Sequence, residues 1–368
     1  MKSQRQGSRE KTRQKTGESP SLLTIHDLRF SVTHQSSYNG GFHILSPSVT
    51  AMSILICGSL AFDTIMVFPD RFERHILPEK IHKLNVAFLV PEMRREFGGC
   101  AGNIAWNLKL LEESPLIMAA CGQDFAPYAQ HLDRHGISRE HILAIENAYT
   151  AQAFITTDLT DNQITAFHPG AMNDAHRNQI EQAGNVQLGI VAPDGREGMI
   201  AHAKAFHAAG IPFVFDPGQG MPMFDGAELL QFIEWADYVA VNDYEAEMLQ
   251  QRVGISLDEL AKRVRALIVT RGEAGSEIFT ATECISIPCA EAAQVIDPTG
   301  CGDAYRAGLL YGISHHWHWE QTGKLASLMG AIKIEHRGGQ NHHPTFADIV
   351  QRYETAFAET FPGKLSAS

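Results

Sequence analysis

The sequence predicts an α/β fold, with a doubly wound and mainly parallel sheet flanked by helices and a small β lid. Three observations support this prediction. From residue 53 onward, short apolar runs alternate with helical stretches. Two stretches, about 62–97 and 150–170, instead alternate polar and apolar residues, as the strands of a lid would. Hydrophobic residues make up 44% of the chain and charged residues 20%, which is ordinary for a globular enzyme.

The predicted elements follow one another through 52–364, which we expect to form one domain. Each predicted strand is a short apolar run, and each predicted helix has apolar residues at helical spacing. The strands are predicted at 53–58, 116–121, 187–192, 212–216, 237–241, 266–270 and 293–297. The helices are predicted at 102–113, 124–136, 197–209, 243–251, 257–264, 302–314 and 321–334.

Residues 1–51 differ from the rest of the chain. They carry seven Lys and Arg against three acidic residues, although the whole chain has a formal charge of −12. The opening stretch lacks apolar periodicity, so we expect a disordered extension. Met52 immediately precedes the first strand pattern and is the start that we expect for the native protein.

Charge and composition exclude several classes of partner. A pI near 5.8 argues against a general nucleic-acid binder. The chain has no run of about 18 apolar residues, so we expect no membrane span. Its six cysteines include no CxxC pair, which favours a reduced, cytoplasmic protein.

The most informative segment is VIDPTGCGDAYRAGLLYG, residues 295–312. Gly300 and Gly302 lie in a turn that leads into a helix, where backbone N–H groups and the helix dipole favour a phosphoryl group. With Cys301 between them, these residues form a candidate anion hole. Asp303 follows in the first helical turn, where a carboxylate can accept the proton of an alcohol that attacks a γ-phosphate. An ordinary first-turn aspartate behind a glycine turn is the alternative interpretation.

A second glycine segment, EFGGCAGNIAWNLKLL, spans residues 96–111. Gly98 and Gly99 leave room for a ligand against the backbone, and Asn103 offers both a donor and an acceptor to vicinal hydroxyls. A glycine loop that only caps a helix is the alternative. Neither a dinucleotide GxGxxG fingerprint nor a Walker A GxxxxGK[ST] motif occurs.

Taken together and in this order, the two segments resemble the signatures of the PfkB family of carbohydrate and nucleoside kinases, also called the ribokinase family. The resemblance runs from about Ser53 to Pro362 and implies a ribokinase-like fold, ATP as co-substrate and Mg²⁺. It also implies a sugar-hydroxyl role for Asp63 and phosphate positioning by Asn242 and Glu245, with Glu245 near Mg²⁺ through water. The implied nucleotide-binding turn contains Thr270, Gly272 and Gly275. Cys301 departs from the family pattern, in which alanine is usual.

The lid segment TTDLTDNQITAFHPGAM, Arg306 and the late segment IEHRGGQNHHPT are similar to those of archaeal and bacterial nucleoside kinases such as adenosine kinases. This resemblance favours transfer of phosphate to the 5′-hydroxyl of a nucleoside. Phe154 and Phe167 could provide a flat surface for the base, and Gln163 an amide for its edge. In the alternative interpretation, the two phenylalanines belong to the core of the lid and Gln163 is an exposed residue without a ligand.

Other interpretations remain open at this stage. A sugar kinase of the ribokinase or fructokinase type and a kinase of a vitamin-like alcohol fit the same motifs, as does a catalytically silent sugar- or nucleoside-binding protein. Many relatives use K⁺ near the loops that correspond to Asp297–Thr299 and Gly338–Gln340. The histidines at 315–318 and 342–343 fit no standard zinc spacing. We expect a monomer or a homodimer.

Overall fold

The structure, a computed structural model, describes residues 53–76, 85–160 and 162–363. The predicted extension 1–51 and Met52 lie outside the described residues. Within the described ranges, no helix is long and apolar enough to cross a membrane. All six cysteines are unpaired.

Nine strands form the main sheet, in the order β13-β12-β11-β10-β9-β8-β1-β4-β5. The pairs from β11 to β5 are parallel, while β12 and β13 add an antiparallel hairpin at one edge. The strands are β1 Ser53–Cys57, β4 Leu116–Cys121, β5 Ile142–Ala144, β8 Val186–Val191, β9 Phe213–Phe215, β10 Tyr238–Asn242, β11 Ala266–Thr270, β12 Ser276–Phe279 and β13 Cys284–Ile287.

Helices cover both faces of this sheet. Alternate residues of each central strand face opposite sides, so Ile54 and Ile56 of β1 join one core cluster and Leu55 and Cys57 join the other. The first cluster lies under α1 Cys100–Leu110, α2 Ala126–Arg134, α7 Cys301–Ser314, α8 Trp319–Ile334 and α9 Phe346–Phe357. The second lies under α3 Arg196–Ala209, α4 Gly226–Trp235, α5 Asp243–Val253 and α6 Leu257–Ala261. Burial on both faces explains the almost continuous apolar runs of the parallel strands.

A second sheet of four strands lies in the two segments that break the alternation. Its order is β3-β2-β6-β7, and only β2 and β6 pair in parallel. The strands are β2 Ala61–Val67, β3 Glu92–Gly98, β6 Ala151–Thr157 and β7 Gln163–His168. We refer to it as the lid sheet.

The prediction of a strand at 293–297 is wrong. This segment is irregular and outside the sheet, with Val295 76% exposed. The amides of Ile296 and Asp297 both donate to the carbonyl oxygen of Ile334 at the end of α8, so the chain is anchored to a helix terminus and not to a strand. The short apolar run AAQVI resembled a strand only in composition.

Candidate active site

The predicted anion hole lies at the start of α7. Gly300 is the N-cap residue and has a φ of 79°, a left-handed conformation that side chains disfavour. The amide of Cys301 donates to the carbonyl oxygen of Pro298 at 3.1 Å, so the turn itself uses this donor. The next amides, those of Gly302 and Asp303, have no acceptor within the helix because they belong to its first turn. They are therefore the helical donors available to an anion.

Space beside this turn is open. A methyl group built on Gly302 would meet no atom of the described residues within 4 Å. The corresponding methyl on Gly300 would lie 3.2 Å from the Cα of Gly339. The open side of the first helical turn thus lies next to Gly302, where a phosphoryl group would be within reach of the helix N-terminus.

Asp303 lies at the centre of the site. Its Oδ2 accepts a hydrogen bond from Asn103 Nδ2 at 2.8 Å, so residues 200 positions apart in the sequence meet here. Burial raises the pKa of Asp303 to about 7, and the nearby charge of Asp216 adds to this effect, while Asn103 and Arg306 oppose it. A carboxylate with a pKa near neutrality is well matched to accepting a proton from an alcohol.

A buried chain of hydrogen bonds holds Asn103 in place. Gln340 Nε2 donates to Asn103 Oδ1 at 3.0 Å and lies 2.6 Å from the hydroxyl of Tyr128. Tyr128 donates to the carbonyl oxygen of Gly98 at 2.8 Å, and His131 Nε2 lies 3.0 Å from Gln340 Oε1. We call Asp303, Asn103, Gln340, Tyr128 and His131 the catalytic network.

This network fixes the orientation of the Asn103 amide. Because Gln340 Nε2 is a donor, Asn103 must present its oxygen to Gln340 and its nitrogen to Asp303. Burial lowers the pKa of His131 to about 4, which leaves the ring neutral at physiological pH with one N–H for Gln340 Oε1. Asn103 is only 4% exposed and contacts Asp303. Its contact with the hydroxyls of a substrate stays a prediction.

The lid sheet places Asp63 in a row of side chains on one face. Glu96, Asp63, Ala153 and Phe167 are paired across its four strands, and paired residues share a face. We call these four residues the lid row. Burial raises the pKa of Asp63 to about 6, and the charges of Glu96 and Asp297 raise it further. Gly98 lies directly beside Asp63, because a methyl group there would overlap its carboxylate.

Phe154 and Phe167 do not lie on the same face. Phe154 pairs with Thr64 and Ala166, one residue out of step with the lid row, so it faces the opposite side of the sheet. The two rings therefore cannot form one continuous flat surface for the base, and only Phe167 shares a face with Asp63. Phe167 is 52% exposed and Gln163 is also exposed on the same face, but four residues along β7 place them about 13 Å apart.

The residues predicted to contact nucleotide follow β10 and β11. Asn242 and Glu245 form a reciprocal capping box at the start of α5, with both side chain–backbone bonds at 2.8 Å. This contact occupies Glu245 Oε2. Thr270 ends β11 beside Asn242. Gly272 and Gly275 lie in the tight turn that follows, with φ values of 54° and 86°.

An ion pair that the sequence did not reveal lies near both Asp303 and Glu245. Arg306 of α7 donates from two nitrogens to both carboxylate oxygens of Asp216, each at 3.1 Å, and both side chains are buried. Arg306 is included in the sequence-based predictions only because the same residue is found in nucleoside kinases, and Asp216 is not identified there. The available signal was its position directly after β9, since ligand sites of parallel sheets lie beyond the carboxyl ends of strands.

Two further features concern Arg271 and the late histidines. Arg271 pairs with Glu277 of β12, with Nε 2.9 Å from Oε2. Within the described residues, no three His, Cys, Asp or Glu side chains are arranged to hold a metal ion. His342 is fully buried and its Nε2 lies 2.8 Å from Asn107 Oδ1, so it packs in the core.

Comparison with known proteins agrees with this geometry. The model of the pfkB family carbohydrate kinases matches residues 60–345. A nucleoside kinase of Methanocaldococcus jannaschii is 33% identical over 279 residues, which are 75% of this chain and 91% of that protein.

Solved structures extend the comparison. The nucleoside kinase of Burkholderia thailandensis in complex with inosine is 53% identical with a TM-score of 0.77, over 83% of this chain and 99% of that chain. The ADP-inosine complex of the same enzyme gives 53% identity and a TM-score of 0.76, over 86% and 99% of the two chains. Fold, motif order and family match agree, so the protein is a phosphotransferase with an alcohol acceptor, and the chain belongs to the pfkB family of carbohydrate kinases.

Proposed function

We propose that the protein is an ATP-dependent nucleoside kinase that transfers the γ-phosphate to the 5′-hydroxyl, with Asp303 as the base. The observation that carries this proposal is the Asn103–Asp303 hydrogen bond beside the open first turn of α7. The Burkholderia thailandensis enzyme that binds inosine and ADP-inosine supports the nucleoside as substrate. The exposed Phe167, in line with Asp63, is a surface on which a base can stack.

In the proposed reaction, Asp63 holds hydroxyls of the sugar and Asp303 accepts the proton of the attacking 5′-hydroxyl. The hydroxyl oxygen forms a bond to the γ-phosphorus as the bond to the β,γ-bridging oxygen breaks, and ADP leaves. The amides of Gly302 and Asp303 stabilise the negative charge on the transferred group. Positioning and electrostatics therefore supply most of the acceleration.

Mg²⁺ fits the residues on the nucleotide side. Glu245 has one carboxylate oxygen engaged by the amide of Asn242, which leaves Oε1 for a metal-held water. Burial raises the pKa of Glu245, and the nearby charge of Asp216 adds to this effect, so a cation at this position would relieve unfavourable negative charge. When bound, Mg²⁺ would neutralise charge on the phosphates of ATP. Thr270, Gly272 and Gly275 would contact the nucleotide beside it.

The lid sheet would close over the substrate and exclude water, so that ATP hydrolysis without an acceptor is slow. A cytoplasmic location and a monomer or homodimer remain predictions. A sugar kinase is the second candidate function, because Asp63 and Asp303 would serve a free sugar equally well.

An ADP-release assay with Mg-ATP tests the proposal. The acceptors are adenosine, inosine, guanosine, cytidine, ribose and fructose. Turnover on nucleosides is the expected result, whereas turnover on free sugars alone would leave Asp303 as the base and reject the role of Phe167. Binding of nucleoside by calorimetry without ADP release would identify a silent binding protein.

A further inference from the structure

A lysine is buried beside the anion-hole turn. Lys333 lies in the last turn of α8 and its exposed fraction is 0%. Its Nζ donates to the carbonyl oxygen of Asp297 at 2.7 Å and to that of His336 at 3.0 Å. Among the described residues, no carboxylate oxygen lies within ion-pair distance of this nitrogen. Fully buried lysines are rare without an acidic partner, so this one calls for a physical reason.

The two carbonyl groups belong to different loops of the site. Asp297 begins the turn that leads to Gly300, and its Oδ1 accepts from the amide of Thr299 at 2.9 Å. His336 belongs to the loop after α8, in which the amide of Gly338 donates to Asp297 Oδ2 at 2.9 Å. The same loop carries Gln340 of the catalytic network. Lys333 therefore ties the anion-hole turn to the loop that orients Asn103.

These oxygens are the kind of ligand that a monovalent cation uses. Backbone carbonyl groups from two converging loops replace the hydration shell of K⁺ in proteins. The ammonium group, however, has three donors and no acceptor, and it already occupies both carbonyl oxygens. A second positive charge within a few ångströms would be repelled. The donor set therefore does not fit the K⁺ ion that the resemblance to the family implies.

We propose that the ammonium of Lys333 is a built-in monovalent cation that fixes the anion-hole turn, so that turnover needs no K⁺. This inference rests on the proposed kinase function for its activity readout. Lys333 is a positioning residue in this account, because it acts through the backbone of Asp297 and His336. Burial lowers the pKa of Lys333, and the nearby charges of Asp297 and Asp303 oppose this effect. The ammonium group would also favour the transferred phosphoryl group.

The first test compares the wild-type protein in tetramethylammonium, Na⁺ and K⁺ buffers of equal ionic strength. ADP release and the thermal melting temperature are both measured. We expect ADP-release rates within about two-fold of one another and no K⁺-specific rise in melting temperature, since the cation site is already filled. K⁺ activation of about ten-fold or more, or a K⁺-specific rise in melting temperature, would overturn the proposal.

The second test uses three variants. Lys333→Ala leaves room for an ion, so we expect turnover to fall by about 10- to 100-fold and to recover partly with K⁺ or NH₄⁺. Lys333→Met fills the same space without charge and should not recover. Lys324→Ala is the matched control, because Lys324 lies in the same helix and is only 9% exposed but pairs with Glu320 and Glu359. It should show no cation dependence.

The two readouts separate the two proposals. If the wild-type protein is inactive on every acceptor but Lys333→Ala shows a K⁺-specific rise in melting temperature, the proposed nucleoside kinase function is rejected and the cation site is retained. Nucleoside turnover with equal cation responses in Lys333→Ala and Lys333→Met would do the reverse. If Lys333→Ala does not fold, the wild-type comparison still decides the question.

Discussion

The catalytic network and the lid row meet at the same site but are built in different ways. The network joins α1, α2, α7 and the loop after α8 through hydrogen bonds of 2.6–3.0 Å, all of them buried except the partly buried bond to Asp303. The lid row ends at an exposed phenylalanine on an edge strand whose six residues are all exposed. If Asp303 is the base and Phe167 contacts the substrate, as proposed, the chemistry lies in the packed core and the substrate contacts lie on an exposed edge strand that tolerates substitution.

The largest effect is expected from removing the base. Asp303→Asn keeps the size of the side chain but cannot accept the hydroxyl proton, so turnover should fall by about 10²- to 10⁴-fold. Nucleoside affinity should change little, because the lid row is untouched. Steady-state kinetics and calorimetry measure the two quantities, and near-normal turnover would reject Asp303 as the base.

A methyl group in the anion hole should have the next largest effect. Gly302→Ala fills the space that is open beside the first turn of α7, so turnover should fall by about 10²-fold, as for loss of an oxyanion donor. The folded protein should not become less stable, because alanine favours helix.

Gly330→Ala in α8 is the matched control for this variant. A methyl group there would meet only the carbonyl oxygen of Cys301, at 3.6 Å. It should leave ADP release unchanged. Equal losses in both variants would show that the helices, and not the anion hole, are sensitive to an added methyl group.

A smaller effect is expected from turning the Asn103 amide. Gln340→Glu replaces the donor that faces Asn103 Oδ1 with an acceptor, so the amide should lose its donation to Asp303. Turnover should fall by about 10- to 100-fold, as for other supporting contacts. Because the Asn103 hydrogen bond lowers the pKa of Asp303, the acidic limb of the pH–rate profile should also move to higher pH. A purely structural defect would lower turnover without moving that limb.

The smallest effect is expected on the lid. Phe167→Ala should raise KM for nucleosides about ten-fold and leave the KM for ribose, if ribose is a substrate, unchanged, because the ring would contact only the base. Phe154→Ala is the matched control on the opposite face of the same sheet. If both variants raise KM equally, the assignment of the lid row to the substrate is wrong.

The sequence could predict the elements that carry a strong local signal. Local signals were sufficient for α7, predicted at 302–314 and found at Cys301–Ser314, and for the parallel strands with their continuous apolar runs. The hairpin β12–β13 was missed because its strands have only four residues each. Helices α4 and α9 were also missed, although capping boxes at Asp225 and Thr345 mark their starts.

The site was predictable only where its residues belong to local motifs. Gly300 lies in a glycine turn, and Gly302, Asp303 and Asn103 lie in the first turns of helices that follow glycine turns, which a single segment can reveal. Gln340 lies 237 positions from Asn103, and Lys333 meets Asp297 from another helix. Such contacts depend on how distant elements pack, so the sequence alone could not assign them. Asp216 shares this property, because its role depends on Arg306, 90 residues away.

The most direct test of the central claim is the pH dependence of kcat for a nucleoside acceptor. Asp303 accepts a proton only when it is ionised, and burial raises its pKa to about 7. We therefore expect kcat to rise about ten-fold per pH unit below about pH 7 and to become constant above it, with no such limb in Asp303→Asn. A wild-type kcat that is flat between about pH 5 and 9, or the same limb in Asp303→Asn, would contradict the account.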